Sequence, residues 1–116
     1  MNWSANLLNI QKAIKIAHQA GAELLITPEL CISGYGCEDF FHSPHVSERA
    51  LKSVSDLTQS IPNSMAVSVG LPVMINNRVY NGVALVTHEG IQGISLKRNL
   101  AANGLHYEQR WFTPWT

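Results

Sequence analysis

The spacing of apolar residues changes partway along the chain, and this change constrains the fold more than any other feature. Between Ser4 and Ala20, apolar residues recur every three or four positions, which predicts an amphipathic helix with Asn2 or Ser4 as N-cap and Gly21 as its stop. From Met65 onward the apolar period is two, which is typical of strands. The chain therefore has to combine helices with a sheet.

The segment between these two regions predicts a strand, a loop and a second helix. Residues 23–27 form a short apolar run directly after the first helix, as expected of a strand buried on both faces. Residues 33–45 hold two glycines, a proline and clustered polar groups, which predict an irregular loop with at most one helical turn. Ser43 and Pro44 then supply an N-cap and a first helical residue for a second amphipathic helix that ends near Ile61 and Pro62.

Three strands follow this second helix. Residues 65–73, 79–87 and 91–96 are rich in strand-forming residues and are separated by turn signals, Asn76–Asn77 and residues 88–90, which predicts a meander. The element order indicates an α/β fold with helices on one face of a mixed sheet. The other face of that sheet has to pack on something, and no further helix in this chain would cover it.

Composition and charge exclude several classes of function. The length of 116 residues suits one domain, residues 1–116. Eight basic and eight acidic side chains balance, and the basic residues form no run that could neutralise several phosphates. Nucleic acid and anionic membranes are therefore poor candidate partners, whereas a small neutral substrate or another protein fits better.

The N-terminal residues and the apolar runs point to a cytoplasmic protein. The first residues show neither the charged region nor the apolar region of a secretory signal. The apolar stretches are broken by glycine, proline or charge well short of the ~20 residues that a membrane helix needs. Two cysteines do not make a disulfide framework.

Three charged residues stand at the ends of predicted elements. Glu29 follows the proline that ends the first strand, Lys97 follows the last strand, and Glu108 lies in the Tyr-Glu-Gln-Arg segment. Side chains at strand ends are held rigidly and can point into a crevice. A carboxylate beside an ammonium could transfer a proton while the ammonium stabilises negative charge. For each residue taken singly, a solvent-exposed surface charge is the commoner explanation.

Three longer segments carry a family resemblance. The segments LITPELCISGYGCEDFF, GLPVMINNRVYNGVALV and GISLKRNLAANGLHYEQRWF, in this order, resemble the carbon-nitrogen hydrolase (nitrilase) superfamily over essentially the whole chain. Within it they are most similar to the N-terminal glutaminase domains of glutamine-dependent NAD synthetases. The resemblance implies part of an αββα nitrilase-type sandwich. It also implies a domain that releases ammonia from glutamine for ATP-dependent NAD synthesis from deamido-NAD.

The resemblance also implies roles for individual residues. Glu29 matches the general base, Lys97 the lysine that stabilises the tetrahedral oxyanion, and Glu108 a second carboxylate near that lysine. Tyr35 in the SGYG segment is expected to shape the substrate pocket. The hydrolase part implies no cofactor and no metal, whereas ATP and Mg²⁺ belong to the synthetase domain. The implied partners are glutamine or another small amide, the synthetase domain, and further copies in a homo-oligomer.

The nucleophile of the family has no match in this chain. The family's cysteine lies downstream of the lysine, whereas Cys31 and Cys37 both precede Lys97 and no cysteine follows it. Cys31 is two residues from Glu29, where an extended chain would turn both side chains to the same face. The resemblance nevertheless places Cys31 outside the nucleophile position. We therefore expect an incomplete domain, a fragment that is inactive alone.

Three alternative interpretations remain open at this point. Cys31, Cys37, His42 and His45 could bind a metal, but the five, four and two residues between them depart from the spacing of structural zinc sites. A non-enzymatic interaction module could use the uncovered sheet face and an aromatic tail, Tyr107, Trp111, Phe112 and Trp115. The third alternative is a different amidase of the same superfamily.

Overall fold

A computed structural model of the chain describes residues 2–101 and 108–116. The described residues include two α-helices, α1 (Trp3–Gln19) and α2 (Pro44–Leu57), and four strands, β1 (Leu24–Ile26), β2 (Ala66–Ile75), β3 (Arg78–Thr87) and β4 (Gly90–Leu96). Short 3-10 helical segments occupy Tyr35–His42, Thr58–Ser60 and Glu108–Arg110. No helix within the described ranges has the length and apolar character needed to cross a lipid bilayer.

Both predicted helices are confirmed, but only one uses a predicted side-chain cap. The Asn2 side chain accepts a hydrogen bond from the Ala5 N–H at 3.1 Å and so begins α1. Ser43 and Pro44 occupy the predicted N-cap and first-turn positions of α2, although the Ser43 side chain makes no capping hydrogen bond. The Ser43 backbone carbonyl accepts the Val46 N–H instead, at 3.1 Å, which satisfies the donor that a cap would have taken.

The strands form one mixed sheet in the order β1-β2-β3-β4. β1 runs parallel to β2, whereas β2, β3 and β4 pair antiparallel, so the predicted meander is confirmed. Asn76 and Asn77 join β2 to β3 with φ angles of 51° and 63°, as a tight two-residue hairpin turn requires.

Both α-helices pack on the same face of this sheet. The core between them consists of apolar residues from both helices, from β2 and β3 and from the adjoining segments, namely Ile10, Ile14, Ile32, Ala50, Val54, Leu57, Ile61, Met65, Val67, Val69, Leu71, Ala84 and Val86. The expectation that β1 is buried on both faces is wrong, since Leu24 and Ile26 are 55% and 71% exposed. Leu25 alone packs against the core, because helices cover only one face.

The 3-10 segment Tyr35–His42 and the C-terminal residues cover one end of the opposite face. A second apolar cluster there contains Leu30, Cys37, Phe41, Val46, Val79 and Phe112. The loop predicted over residues 33–45 is thus more helical than expected, with a kink at Glu38 (φ 54°, ψ −128°). Cys37 and Phe41, on the two sides of this kink, are both buried in the second apolar cluster.

The aromatic tail contributes to this packing. Phe112 is buried, with its ring centroid 4.7 Å from that of Phe41. Trp115 is partly exposed but meets Tyr80 edge-on at 5.7 Å. Tyr107, which the sequence grouped with these residues, lies outside the described residues. The described part of the tail therefore packs against the domain itself.

Candidate active site

The turn that carries Glu29 lies directly over β2. Thr27 continues the pairing of β1, with its N–H 3.0 Å from the Ser68 carbonyl, and Leu30 then reverses the chain at φ 53°. A Cβ atom on Gly70 would stand 2.8 Å from the Pro28 carbonyl oxygen and would also meet the Leu30 nitrogen. Only glycine permits this close approach, so Gly70 sets the position of Glu29 above the sheet.

Backbone hydrogen bonds fix the positions of both Lys97 and Glu108. The Lys97 N–H donates to the Asn81 carbonyl at 2.8 Å, which extends the β3–β4 pairing by one residue. The Glu108 N–H donates to the Ala101 carbonyl at 2.7 Å, and the Glu108 carbonyl accepts the Phe112 N–H at 2.8 Å. Burial of Phe112 in the second apolar cluster thus fixes the turn that presents Glu108.

The structure brings the three predicted charged residues together. Lys97 Nζ lies 2.5 Å from Glu29 Oε1 and 2.8 Å from Glu108 Oε1, although Glu29 is 68 positions away in the sequence. The side chains differ in exposure, with Glu108 1%, Lys97 30% and Glu29 44% exposed. The cluster therefore has one fully buried carboxylate, one carboxylate open to solvent, and an ammonium between them.

The charges of Lys97 and Glu108 stabilise each other against the effect of burial. Burial by itself lowers the pKa of Lys97, but hydrogen bonds and charge attraction from Glu108 and Glu29 outweigh it, so the pKa is raised. Burial likewise acts to raise the pKa of Glu108, but hydrogen bonds from Lys97, Asn81 and the Ala101 N–H lower it overall. Lys97 and Glu108 consequently form an ion pair at neutral pH.

Tyr35, the predicted pocket residue, lies beside Glu108. The pKa of the Tyr35 phenol is raised, and burial is the largest cause. The negative charge of Glu108 and a hydrogen bond with that carboxylate raise it further. The phenol is therefore protonated at neutral pH and able to donate a hydrogen bond.

The cluster opens into a cavity of about 200 Å³ on the sheet face that α1 and α2 leave uncovered. Its lining combines the Glu29 turn with strand residues of that face, namely Thr27, Pro28, Glu29, Gly70, Asn81, Gly82, Val83, Ser95 and Lys97. A polarised acid–base pair at the edge of a small, largely apolar cavity can bind a small polar molecule and move its protons.

Asn81 and Gly70 are the site residues that sequence reasoning missed. Asn81 is 3% exposed in the middle of β3, and its Nδ2 donates to Glu29 Oε1 at 2.7 Å and to Glu108 Oε2 at 3.0 Å. Asparagine is depleted in strands, so its presence within the apolar segment YNGVALV was the available signal. Gly70 gave no comparable signal, because a strand glycine alone does not reveal which backbone approaches it.

Neither described cysteine is placed as a nucleophile of this cluster. The chain is not extended between Glu29 and Cys31, because Leu30 has a φ of 53°, so the condition under which the two side chains would share a face does not hold. Cys31 packs against the helix-side core, with its Sγ 3.0 Å from Thr27 Oγ1. Cys37 is buried and donates to the Ser33 and Gly34 carbonyls at 3.3 and 3.2 Å. Burial raises the pKa of both thiols and so favours the unreactive neutral form.

The alternative metal site is not assembled. Within residues 2–101 and 108–116, no three His, Cys, Asp or Glu side chains come close enough together to hold a metal ion. Cys37 is buried, whereas His42 and His45 are exposed.

Comparison with known proteins identifies relatives along the whole chain. The glutamine-dependent NAD(+) synthetase of Mus musculus is 36% identical over 117 aligned positions, which cover 100% of this chain and 16% of that protein. The crystal structure of a glutamine-dependent NAD(+) synthetase from Cytophaga hutchinsonii matches with a TM-score of 0.93 and 44% identity, over 99% of this chain and 20% of the other. The chain thus spans about a sixth to a fifth of the length of these relatives.

A more distant structure shows the same fold. An amidase from Nesterenkonia sp. matches 99% of this chain and 43% of its own with a TM-score of 0.82, at 24% identity. The family model described as "Carbon-nitrogen hydrolase" matches residues 1–115. The mixed α/β fold and the matches along the whole sequence confirm the predicted resemblance, and the chain belongs to the carbon-nitrogen hydrolase family.

Proposed function

We propose that the cluster of Glu29, Lys97 and Glu108 is the proton-transfer and oxyanion-binding part of a glutamine amidohydrolase site. In this proposal the four-stranded sheet is one layer of an αββα sandwich, whose second layer would cover the exposed face. The observation that carries it is the ammonium of Lys97 held between two carboxylates at the mouth of the cavity. Relatives named as glutamine-dependent NAD(+) synthetases support glutamine as the amide.

The proposed reaction uses a cysteine thiol as nucleophile. The S–H proton passes to Glu29 while sulfur bonds to the amide carbon, and the carbonyl electrons move to an oxyanion that Lys97 stabilises. Glu29 then returns the proton to nitrogen as the C–N bond breaks, which releases ammonia. Water then attacks the thioester carbon and gives a proton to Glu29. The C–S bond breaks to release glutamate, and Glu29 passes that proton to the sulfur, which restores the thiol.

Glu108 has a different part in this scheme from Glu29. Because it is buried and accepts bonds from Lys97, Asn81 and the Ala101 N–H, it holds the ammonium in place throughout the reaction. Glu29 is the carboxylate that is open to the cavity, so it is the one that exchanges a proton. Tyr35 adds a donor on the Glu108 side.

We also propose that the 116-residue chain is an incomplete hydrolase domain that does not turn over glutamine alone. Both of its thiols are held neutral by burial, and neither lies in the cavity lining. The nucleophile, the synthetase domain with its ATP and Mg²⁺, and the copies of a homo-oligomer would come from outside these residues, while the hydrolysis itself needs no cofactor.

The proposal is tested by grafting the chain into a complete enzyme. The 116 residues replace the aligned segment of the Cytophaga hutchinsonii synthetase, and NAD formation is measured with glutamine and, separately, with ammonium chloride as nitrogen source. We expect glutamine to support synthesis. Glu29→Gln should lower that rate by about 10²- to 10⁴-fold and Lys97→Gln by about 10²- to 10³-fold, with ammonium-supported synthesis unchanged.

The matched controls are Glu23→Gln and Lys52→Gln, which make the same chemical changes at exposed positions. Both should retain the glutamine-supported rate. A graft that uses ammonium normally, and whose glutamine turnover is insensitive to Glu29→Gln, would refute the proposal. For the chain alone, ammonia release from glutamine should stay at background, and sustained release that Cys31→Ala abolishes would contradict the expected inactivity.

A further inference from the structure

Asn81 joins the two carboxylates of the site through a single nitrogen atom. Its Nδ2 lies 2.7 Å from Glu29 Oε1 and 3.0 Å from Glu108 Oε2. Ionised carboxylates only accept hydrogen bonds, and an amide NH₂ has two hydrogens, so each hydrogen serves one carboxylate. If the amide were flipped, its carbonyl oxygen would face both carboxylate oxygens and repel them. The nitrogen of the Asn81 amide is therefore the atom that faces the two carboxylates.

Asn81 and Lys97 together close a ring of alternating donors and acceptors. Lys97 Nζ contacts Glu29 Oε1 and Glu108 Oε1, while Asn81 Nδ2 contacts Glu29 Oε1 and Glu108 Oε2. Two carboxylates share one ammonium, so their mutual repulsion is only partly offset by the Lys97 charge. The amide hydrogens supply the remaining attraction without adding charge.

The two carboxylates depend on this amide to different degrees. Glu108 is buried and has a further bond from the Ala101 N–H, so it is fixed without Asn81. Glu29 is 44% exposed and could turn toward solvent. The hydrogen bonds that Glu29 accepts from Asn81 and Lys97 both reach the same oxygen, Oε1, so these two donors leave Oε2 for a reaction partner.

We propose that Asn81 is a positioning residue of the amidohydrolase site, which anchors Glu29 Oε1 to the fixed Glu108–Lys97 pair so that Oε2 is presented for proton transfer. This inference rests on the proposed function. In this scheme Asn81 acts through Glu29 and takes no part in the proton transfers.

The first test uses the chain itself and needs no catalysis. The side-chain carbons of lysine are labelled with ¹³C, the Lys97 resonance is assigned by its loss in Lys97→Gln, and its titration is followed by NMR. In Asn81→Leu, which keeps the approximate shape but has no donor, Glu29 should leave the ammonium and the Lys97 midpoint should fall by about one pH unit. Asn63→Leu, in the exposed turn before β2, should leave it unchanged. An unchanged midpoint in folded Asn81→Leu would overturn the inference.

The second test separates positioning from binding in the grafted enzyme. Asn81→Leu should lower kcat for glutamine on the order of 100-fold, with KM changed by less than about threefold, because only the base is displaced. If Glu29→Gln were harmless, the proposed function itself would fail. If Glu29→Gln is inactive while Asn81→Leu keeps full kcat, only the role of Asn81 fails.

A second variant covers loss of folding. Where Asn81→Leu gives no folded chain, Asn81→Ser replaces it, since one hydroxyl hydrogen can serve only one of the two carboxylates. A lower Lys97 midpoint and a lower kcat are again expected, and wild-type values of both would overturn the inference.

Discussion

At the scale of single residues, the two glutamates of the site have different roles because their surroundings differ. Glu108 is enclosed and accepts hydrogen bonds from Lys97, Asn81 and the Ala101 N–H, whereas Glu29 lies half open at the cavity. A buried carboxylate is tolerated only with such partners. The stability of the chain and the chemistry of the site therefore depend on the same hydrogen bonds.

The first prediction concerns the buried carboxylate. Glu108→Gln keeps the shape but removes the charge, so the Lys97 ammonium loses its enclosed partner. We expect the free energy of unfolding to fall by about 2 kcal/mol in urea titrations at neutral pH. The matched change Glu48→Gln, at an exposed position on α2, should stay within about 0.5 kcal/mol. Equal effects of the two substitutions would contradict the assignment of Glu108 as a buried structural partner.

The second prediction is the pH dependence of stability. Because the pKa of Glu108 is lower in the folded chain, its contribution is present above the ordinary carboxyl pKa and is lost as pH falls through the folded value. Because the pKa of Lys97 is raised, its contribution is present below the ordinary lysine pKa and is lost as pH rises through the folded value. The urea concentration at the unfolding midpoint should therefore decline both toward acid pH and toward alkaline pH. Glu108→Gln should flatten the acid decline, and an acid limb that it leaves unaltered would argue against this origin.

At the scale of elements, the site depends on where one turn crosses one strand. The turn after β1 passes over Gly70 of β2, and this crossing directs Glu29 toward Lys97. Lys97 follows β4 and also contacts Glu108, the first residue of the 3-10 turn Glu108–Arg110. The strand pairing and the turn are thus coupled at a single backbone contact.

The third prediction tests this contact. Gly70→Ala places a methyl group against the backbone of Pro28 and Leu30, so the turn or the strand must move. We expect destabilisation of about 2 to 3 kcal/mol by urea unfolding. The expected displacement of Glu29 should also lower the Lys97 titration midpoint. Gly93→Ala on β4 is the matched control, because a Cβ there meets nothing within 4 Å. A Gly70→Ala chain as stable as Gly93→Ala would show that the crossing is not tight.

At the scale of the whole molecule, α1 and α2 cover one face of the sheet, whereas the opposite face is only partly covered. Ile26, Val83 and Leu85 lie exposed next to the cavity, whereas the helix side and the end under Phe41 are packed. Contiguous exposed apolar area of this kind promotes association.

The fourth prediction follows from that exposed face. We expect the isolated chain to associate as its concentration rises in sedimentation velocity experiments, because association removes apolar area from water. Ile26→Thr combined with Leu85→Thr should weaken the association by about tenfold or more. Ile16→Thr, at an exposed apolar position on α1, should leave it unchanged. A chain that stays monomeric at high concentration and melts in one sharp transition would contradict this expectation.

The order and type of the elements followed from the sequence because they depend on neighbouring residues. The helical period over α1, the alternation over β2 and β3, and the asparagine pair between them all act within a few positions. The errors share one cause. The exposure of Leu24 and Ile26 and the 3-10 segment at Tyr35–His42 depend on what lies across the sheet, which a local pattern does not specify.

The sequence by itself determined the helix and strand order, the family, and three charged residues at element ends as candidates. Only the tertiary structure decided that Lys97 meets a carboxylate 68 positions away, that Asn81 joins both carboxylates, and that Cys31 points into the helix-side core. The physical reason is that helices and strands arise from interactions between near neighbours. Contacts between distant residues depend instead on sheet register and on single turns such as the one over Gly70.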